Sequence, residues 1–312
     1  MKYIFGPVPS RRLGWSLGLD ILPYKTCSFD CIYCELGPTT CLTIDPVDLV
    51  EPEVVLAELD AFLAAPRAKV DFLTLSGSGE PTLHPELGSL IRALKRRYAL
   101  PVALITNGSL FFRAEVLERV RAADLVIPSL DAVDPETLAA VNRPHPDLNL
   151  DTLLEGLLAL SRLRGPRLWL EVLFVRGLND RPEQVARLRH LIERIHPEKV
   201  QINTVVRPPV ETWARPLAAP LLAQLRETLG DRAEIIVRPE RRDEQAVGLE
   251  DEILKLLSRR PCTVEDIAQL TGRPPDETRA LLEGLIGRGA VREAPFNRVR
   301  YYRCCHRDAG TA

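Results

Sequence analysis

Seven short runs of largely apolar residues, spread over residues 15–237, constrain the fold more than any other feature: WSLGLDI, VDFLTLS, PVALITN, DLVIPSL, RLWLEVLFV, KVQINTVV and EIIV. Several are apolar almost throughout, as strands buried on both faces are. Between them, residues 51–65, 85–98, 113–121, 150–163 and 182–195 carry leucine and alanine at helical spacing. Strand, helix, strand in repetition predicts a parallel sheet, because parallel neighbours need a crossover long enough to hold a helix. Roughly six such units suit a full or partial (β/α) barrel or a doubly wound sheet. In either, a ligand site belongs at the C-terminal ends of the strands.

The pattern changes after a polar, charged stretch at 241–248 that reads as a linker. LEDEILKLLSRR is an amphipathic helix that stops before Pro261. TVEDIAQLTG opens with Thr263 and Asp266 at capping-box spacing and ends at Gly272. PPDETRALLEGLIGRG is a third helix, with Leu281, Leu282, Leu285 and Ile286 inward and Gly289 past its end. AVREAPFNRVRYYRC reads as a hairpin. Helix, helix–turn–helix, hairpin is the outline of a winged helix. At 312 residues a large α/β domain with a small appendage fits better than one core. The expected organisation is a barrel domain at 1–240, a linker at 241–248, a winged helix at 249–306 and a tail at 307–312.

A net charge of −2 gives the molecule no overall pull toward nucleic acid or anionic membrane. The N-terminal MKYIFGPVPSRR lacks the apolar core of a signal peptide, and no apolar run approaches a membrane span. The expectation is a cytoplasmic protein with no membrane partner, whose seven cysteines serve metal or redox chemistry before disulfides.

Three of those cysteines, Cys27, Cys31 and Cys34, fall in KTCSFDCIYCELG, in a loop after the first expected strand that also holds Phe29 and Tyr33. The spacing Cys-x3-Cys-x2-Cys fits zinc ribbons poorly, since those pair two Cys-x2-Cys knuckles. Thiolates suit zinc and iron–sulfur clusters alike. A fully ligated [4Fe–4S] cluster wants four cysteines. Cys41 is available as a fourth, beyond Gly37-Pro38; with three, one metal position stays open. Structural zinc and a chance cluster of buried cysteines are the competing readings.

Further motifs fall at the ends of successive strands. SGSGEPT supplies Ser76, Gly77, Ser78, Gly79 and Glu80, where glycines let a backbone approach a ligand, or simply make a tight turn. ITNGS supplies Thr106 and Asn107, in what is otherwise a plain Asn-Gly turn. PSLDAVD supplies Ser129 and Asp131, and Asp131 reads equally well as the cap of the helix DPETLAAVN. Asn142, Arg143, Asn203 and Arg207 are further site candidates, an arginine there suiting a carboxylate or phosphate. Ser10, Arg11 and Arg12 could act likewise, but a solvated surface arm is the preferred reading.

Cys27-x3-Cys31-x2-Cys34, with an aromatic before the last cysteine, resembles the signature of the radical S-adenosylmethionine (SAM) enzymes. The preceding GPVPSRRLGWSLGLD resembles one largely uncharacterised branch, related to the wyosine-tRNA synthesis enzymes, and the resemblance spans residues 2–239. It implies a partial (β/α)6-type TIM barrel followed by the small winged-helix domain. It implies that the three cysteines hold a [4Fe–4S] cluster whose fourth iron chelates the methionine amino and carboxylate groups of SAM. An electron from the cluster would cleave the sulfonium to methionine and a 5′-deoxyadenosyl radical, which takes hydrogen from a substrate. The backbone of residues 76–80 would meet the methionine amino group, with Ser78 where a second glycine often stands. Thr106 and Asn107 would complete the cradle, and Ser129 and Asp131 would reach the ribose hydroxyls or the carboxylate. Phe29 and Tyr33 would help to exclude water. An electron donor such as flavodoxin or ferredoxin is implied, together with a small-molecule, peptide or RNA substrate. No substrate-side catalytic residue is identified.

Cys304 and Cys305, beside His306, could bind a soft metal, act as a redox pair, or join Cys41 or Cys262 in an auxiliary cluster; a frayed tail is the preferred reading. Cys262 reads as a buried turn residue. The expected wing is basic, with Arg298, Arg300, Arg303 and Arg307, but the third helix opens with Asp276 and Glu277 and carries Glu283, partly offset by Arg279 and Arg288. Those carboxylates argue against DNA binding and for a protein- or peptide-docking module or a cap over the barrel, with RNA held by the wing still compatible. The alternative function is a non-enzymatic iron–sulfur redox sensor acting on nucleic acid through the winged helix. It leaves the strand-end motifs unexplained.

Overall fold

The N-terminal residues form a strand and a turn, not the solvated arm expected of Ser10, Arg11 and Arg12. In the computed structural model, which describes residues 2–47, 50–64, 69–236 and 250–305, strand β1 (Ile4–Ser10) runs antiparallel to β2 (Gly14–Leu19). Pro7 and Pro9 are tolerated because β1 is an edge strand of its sheet, where a missing N–H need not cost a ladder bond. The Phe5 ring lies over Gly18, where a Cβ would stand 2.0 Å from it. The linker expected at 241–248, the tail expected at 307–312, and His306 lie outside the described residues.

A short parallel ladder joins β3 (Thr26–Cys27) to β4 (Cys41–Leu42). The chain then alternates through α1 (Pro52–Leu63), β5 (Phe72–Leu75), α2 (Leu87–Arg97), β6 (Val102–Thr106), α3 (Ala114–Val120) and β7 (Leu125–Pro128). It continues through α4 (Pro135–Thr137), a π-turn at Leu138–Asn142, α5 (Leu150–Ser161), β8 (Arg167–Phe174), α6 (Pro182–Ile195), β9 (Lys199–Thr204), α7 (Ala219–Leu229) and β10 (Ala233–Ile235). One eight-stranded sheet results, in the order β1-β2-β5-β6-β7-β8-β9-β10, parallel from β2 onward. Helix α7 is absent from the sequence expectations.

The two faces of this sheet differ in kind. Leu17, Leu73, Leu104, Val126, Val172, Val200 and Ile202 point to one side and share a single core with helix residues such as Leu59, Leu90, Val120, Leu157, Leu188 and Leu225. Alternation sends their neighbours to the other side. There Leu13, Ala103, Leu125, Ile127 and Trp169 form a small apolar floor. Around it lie buried polar groups: Ser16 and Thr74 share a hydrogen bond of 2.6 Å, and Asn203 donates to Glu171 at 2.8 Å. Buried polar groups need partners, and these find them in one another.

The C-terminal segment follows with α8 (Glu250–Arg259), α9 (Val264–Thr271), α10 (Pro275–Gly287), β11 (Val291–Phe296) and β12 (Val299–Cys304). Thr263 and Asp266 form the expected capping box, at 3.2 and 3.1 Å, an arrangement typically contributing about 1 kcal/mol. Gly272 takes the left-handed conformation that ends α9. Ile253, Leu256, Ile267, Leu282, Leu285 and Tyr302 make the segment's core, and Val8 of β1 enters it. Asn297 and Arg298, both at positive φ, turn the hairpin between Phe296 and Val299. Phe296 and Tyr301 pack with Ile32, Val141, Val175 and Val205, so the hairpin lies against the loops at the C-terminal ends of the strands. Among the described residues no helix is long and apolar enough to cross a membrane.

Candidate active site

The cysteine loop is stitched into the fold by backbone. Asp30 and Ile32 donate to the carbonyls of Asn142 and Val141, at 3.0 Å each, on one side. Val210 and Glu211 donate to those of Cys34 and Ile32, at 3.0 and 3.1 Å, on the other. Ile32 is fully buried and Phe29 nearly so, which anchors the loop over the strand ends. Each of the three sulfurs accepts a different N–H: Cys34 from Lys25 Nζ at 3.1 Å, Cys27 from Asn107 Nδ2 at 3.6 Å, and Cys31 from Asn142 Nδ2 at 3.6 Å. Cys41 is exposed, its backbone tied to the Lys25 carbonyl.

Burial first, then the Glu80 carboxylate, pushes the Cys27 thiol up to about 12; burial, then Cys27, pushes Cys31 well above its ordinary value. Without a metal these thiols keep their protons, and among the described residues no three His, Cys, Asp or Glu side chains already stand as a metal-holding set. The donor chemistry nonetheless fits an iron–sulfur cluster. Three soft ligands share one loop, each sulfur beside an N–H, and metal charge reverses the protonation preference of a buried thiol.

The glycine loop follows β5. A Cβ at Gly77 would stand 2.4 Å from Asp20 Oδ1, and one at Gly79 would stand 1.9 Å from the Thr26 carbonyl oxygen. The glycines thus serve close approach to the chain's own β2 and β3 ends. Ser78 donates to Asp20 from its backbone N–H at 2.9 Å and from its hydroxyl at 2.6 Å. The buried Glu80 accepts from the Thr82 N–H and hydroxyl, the Thr106 hydroxyl at 2.5 Å and the Asn107 N–H at 2.7 Å. Burial raises its pKa, and those donors pull it part of the way back. Both side chains are committed internally, and so are the Ser78 N–H, to Asp20, and the Glu80 N–H, to the Thr26 carbonyl.

Thr106 and Asn107 are brought beside the cysteines: Asn107 bridges Cys27 and, at 2.9 Å, the Ser28 hydroxyl. Ser129 and Asp131 line a narrow cavity of about 20 Å³ together with Phe29, Asn107 and Asn142. Asp131 is not the helix cap; Asp134 is, accepting from the Thr137 N–H at 2.8 Å. Proline at the first helical position marks Asp134 as the cap in the sequence itself. Asp131 instead accepts from Tyr33, from Asn142 at 2.8 Å and from the Leu173 N–H at 2.8 Å. Burial pushes its carboxyl up to about 6 against those bonds.

Of the other candidates, Arg143 turns to Glu211 at 2.7 Å and braces the cysteine loop. Ser10 closes the turn after β1 by accepting from the Arg12 and Leu13 N–H groups. Arg12 then reaches across the polar face to Glu171 as a bidentate pair, at 2.7 and 3.0 Å, and Arg11 donates to Asn203 Oδ1 at 3.2 Å. Cys304 ends β12, and the Cys305 N–H donates to the Ala290 carbonyl at 2.9 Å, so the pair is not a frayed tail. Cys262 is fully buried, as expected. Sequence reasoning missed Asp20, Lys25 and Glu171, although Glu171 stands out as the one charge inside LWLEVLF.

The family model of the radical SAM superfamily matches residues 21–189. The chain belongs to the radical SAM superfamily. It is 33% identical over 306 residues to a protein described as GTPase Obg from Brachyspira hyodysenteriae, covering 96% of this chain but only 45% of that protein. A UPF0026 protein of Methanocaldococcus jannaschii is 33% identical over 280 residues, covering 88% of this chain and 87% of its own. Among solved structures, a radical SAM methyltransferase from Sphaerobacter thermophilus is similar at a TM-score of 0.49 and 16% identity, over 70% of this chain and 66% of that one. The protein is therefore an enzyme of the radical SAM family, whose cofactors are a [4Fe–4S] cluster and SAM. These relatives lend no support to a non-enzymatic redox sensor.

Proposed function

We propose that this enzyme cleaves SAM reductively on a [4Fe–4S] cluster held by Cys27, Cys31 and Cys34, and directs the resulting 5′-deoxyadenosyl radical to a hydrogen of a substrate bound at the strand ends. The observation that carries this is the meeting of the three sulfurs with Lys25, Asn107 and Asn142 at the C-terminal edge of a parallel sheet. The backbone of residues 76–80 receives the methionine amino group, and Thr106, Asn107, Ser129 and Asp131 complete the cradle. Phe29 and the half-buried Tyr33 shield it from water.

The eight-stranded sheet, with its helices on one face and its polar groups on the other, supports a partial (β/α) barrel at 1–240. Three helices and a hairpin support a winged helix at 249–306 that acts as a cap over the mouth. Tyr301 donates to the Val206 carbonyl at 2.6 Å and Arg303 to that of Glu35 at 2.9 Å, both at the rim. A flavodoxin or ferredoxin supplies the electron. Kinship with the wyosine-tRNA enzymes rests on the N-terminal motif block.

Anaerobic reconstitution with iron and sulfide, followed by dithionite and SAM, tests this. Wild type yields 5′-deoxyadenosine and methionine. Cys27→Ala, Cys31→Ala and Cys34→Ala bind less iron and yield none, while Cys41→Ser keeps both. No 5′-deoxyadenosine from wild type with an intact cluster overturns the proposal.

A further inference from the structure

A cavity of about 210 Å³ opens beside Cys34 on the polar face of the sheet, lined by Arg11, Arg12, Tyr33, Cys34, Asn203 and Arg207 among others. Three guanidinium groups share this wall, and they are not equally neutralised. Arg12 is closed by its bidentate bond to Glu171. Arg207 pairs with Glu35 at 3.0 Å. Arg11 has only the neutral Asn203 Oδ1, at 3.2 Å, and no carboxylate within ion-pair distance among the described residues. Asn203 is itself committed, since its amide donates to Glu171 and its oxygen also accepts from the Thr204 N–H. One positive charge is thus left over, on a half-buried side chain.

The electrostatics of Arg11 agree with that imbalance. Burial first, then repulsion by Arg207 and Arg12, pulls its pKa down to about 9, still high enough to keep the guanidinium charged at neutral pH. A second cavity, of about 70 Å³, lies on the other side of Arg11 and Arg207 and is walled by Arg260, Asp266 and Tyr301 of the C-terminal segment. Arg260 lines this cavity, and its Nε–H is buried against the protein with no hydrogen-bond partner among the described residues. Asp266, the carboxylate of that wall, already accepts from the Thr263 N–H. A buried donor left without an acceptor is rare and costly.

We infer that these adjoining cavities form the binding site of a small anionic substrate, whose carboxylate or phosphate oxygens are held by Arg11 and Arg260 beneath the C-terminal hairpin. Guanidinium forks take either oxyanion in two parallel bonds. Small size follows from the volumes, about 210 and 70 Å³, and Tyr301, bonded to the Val206 carbonyl, forms part of the wall of the second. The radical chemistry proposed above makes the bound molecule a substrate, but anion binding itself needs neither cluster nor SAM.

The test is equilibrium binding to the full-length protein before cluster reconstitution, by calorimetry at constant ionic strength. Inorganic pyrophosphate probes phosphate and succinate probes carboxylate. Saturable binding of at least one is expected, and which of them binds assigns the oxyanion. Arg11→Gln and, separately, Arg260→Gln should weaken it about tenfold or more, the loss of one charge-assisted bond. Arg11→Lys should restore part of it, and Arg121→Gln, exposed just past the end of α3, should leave it unchanged. If one glutamine variant fails to fold, the other decides. No saturable binding of either probe, or binding indifferent to both substitutions, overturns the inference. Absent anion binding with normal 5′-deoxyadenosine formation sinks the pocket and spares the SAM chemistry; the converse does the reverse.

Discussion

The guanidinium of Arg259 reaches Asp20 at 3.2 Å and so joins the last turn of α8 to the end of β2, directly beneath the glycine loop. Both side chains are almost wholly buried, 5% and 7% exposed. Asp20 spends its remaining capacity on Ser78, and Arg259 donates as well to the Lys2 carbonyl at 2.7 Å and lies over the Phe5 ring. The C-terminal segment is therefore wired, through one buried ion pair, to the backbone proposed to meet SAM.

Removing one partner of a buried pair strands the other charge, at a typical cost of about 3–5 kcal/mol. Arg259→Ala should accordingly lower the urea midpoint strongly and weaken SAM binding, although Arg259 lies under the loop and not in the cradle. Asp20→Ala should do the same. Urea titration followed by tryptophan fluorescence, together with SAM binding by equilibrium dialysis, checks both. SAM affinity that stayed at the wild-type level in a folded Arg259→Ala would show that the pair does not support the loop.

Asp131 sets a pH dependence whose sign is fixed by its surroundings. Burial raises its carboxyl from an ordinary 3.8 to about 6. Between those values the folded chain binds a proton that the unfolded chain has lost. Stability attributable to this group is therefore full below about pH 4, falls as pH rises toward 6, and is constant above. The size is on the order of 2–3 kcal/mol. Asp131→Asn should be less stable at every pH, since its amide meets the Asn142 amide donor to donor, but its stability should decline less between pH 4 and 6. Unfolding midpoints across that range, wild type against variant, read the slope. Parallel slopes would exclude Asp131 as the titrating group.

What the sequence discloses follows from how local each signal is. The parallel strands are legible because burial on both faces leaves runs such as LWLEVLF with almost no polar interruption, and the single carboxylate there, Glu171, is the group that pairs with Arg12. The cysteine spacing is legible because Cys27, Cys31 and Cys34 sit on one loop. Strand β1 is obscured by Pro7 and Pro9, which an edge position tolerates. Helix α7 buries only Leu225 and Leu229 fully, too few to print a clear helical period. The Arg259–Asp20 pair spans 239 residues of chain, and neither side chain has a local pattern that announces the other. Nor does a linear reading show that Arg12 pairs with Glu171 while Arg11, its neighbour, meets the neutral Asn203.

Gly79 offers the sharpest steric test of the glycine loop. Its ideal Cβ would lie 1.9 Å from the Thr26 carbonyl oxygen and 3.0 Å from the attached carbon, both backbone atoms that cannot rotate aside. That same carbonyl accepts the Glu80 N–H at 3.0 Å, and Thr26 precedes Cys27. Gly79→Ala must therefore push the glycine loop and the cysteine loop apart, with a cost of about 1–3 kcal/mol or more for an overpacked site. Iron retention after reconstitution should fall along with stability. Gly284→Ala is the matched control: it lies on α10, where the added methyl meets only an Arg288 side-chain nitrogen at 3.8 Å, and it should be neutral or slightly stabilising. Thermal unfolding and iron content of the two variants, measured side by side, decide the matter. If Gly79→Ala retained both, the close approach of the two loops would not be a requirement of the fold.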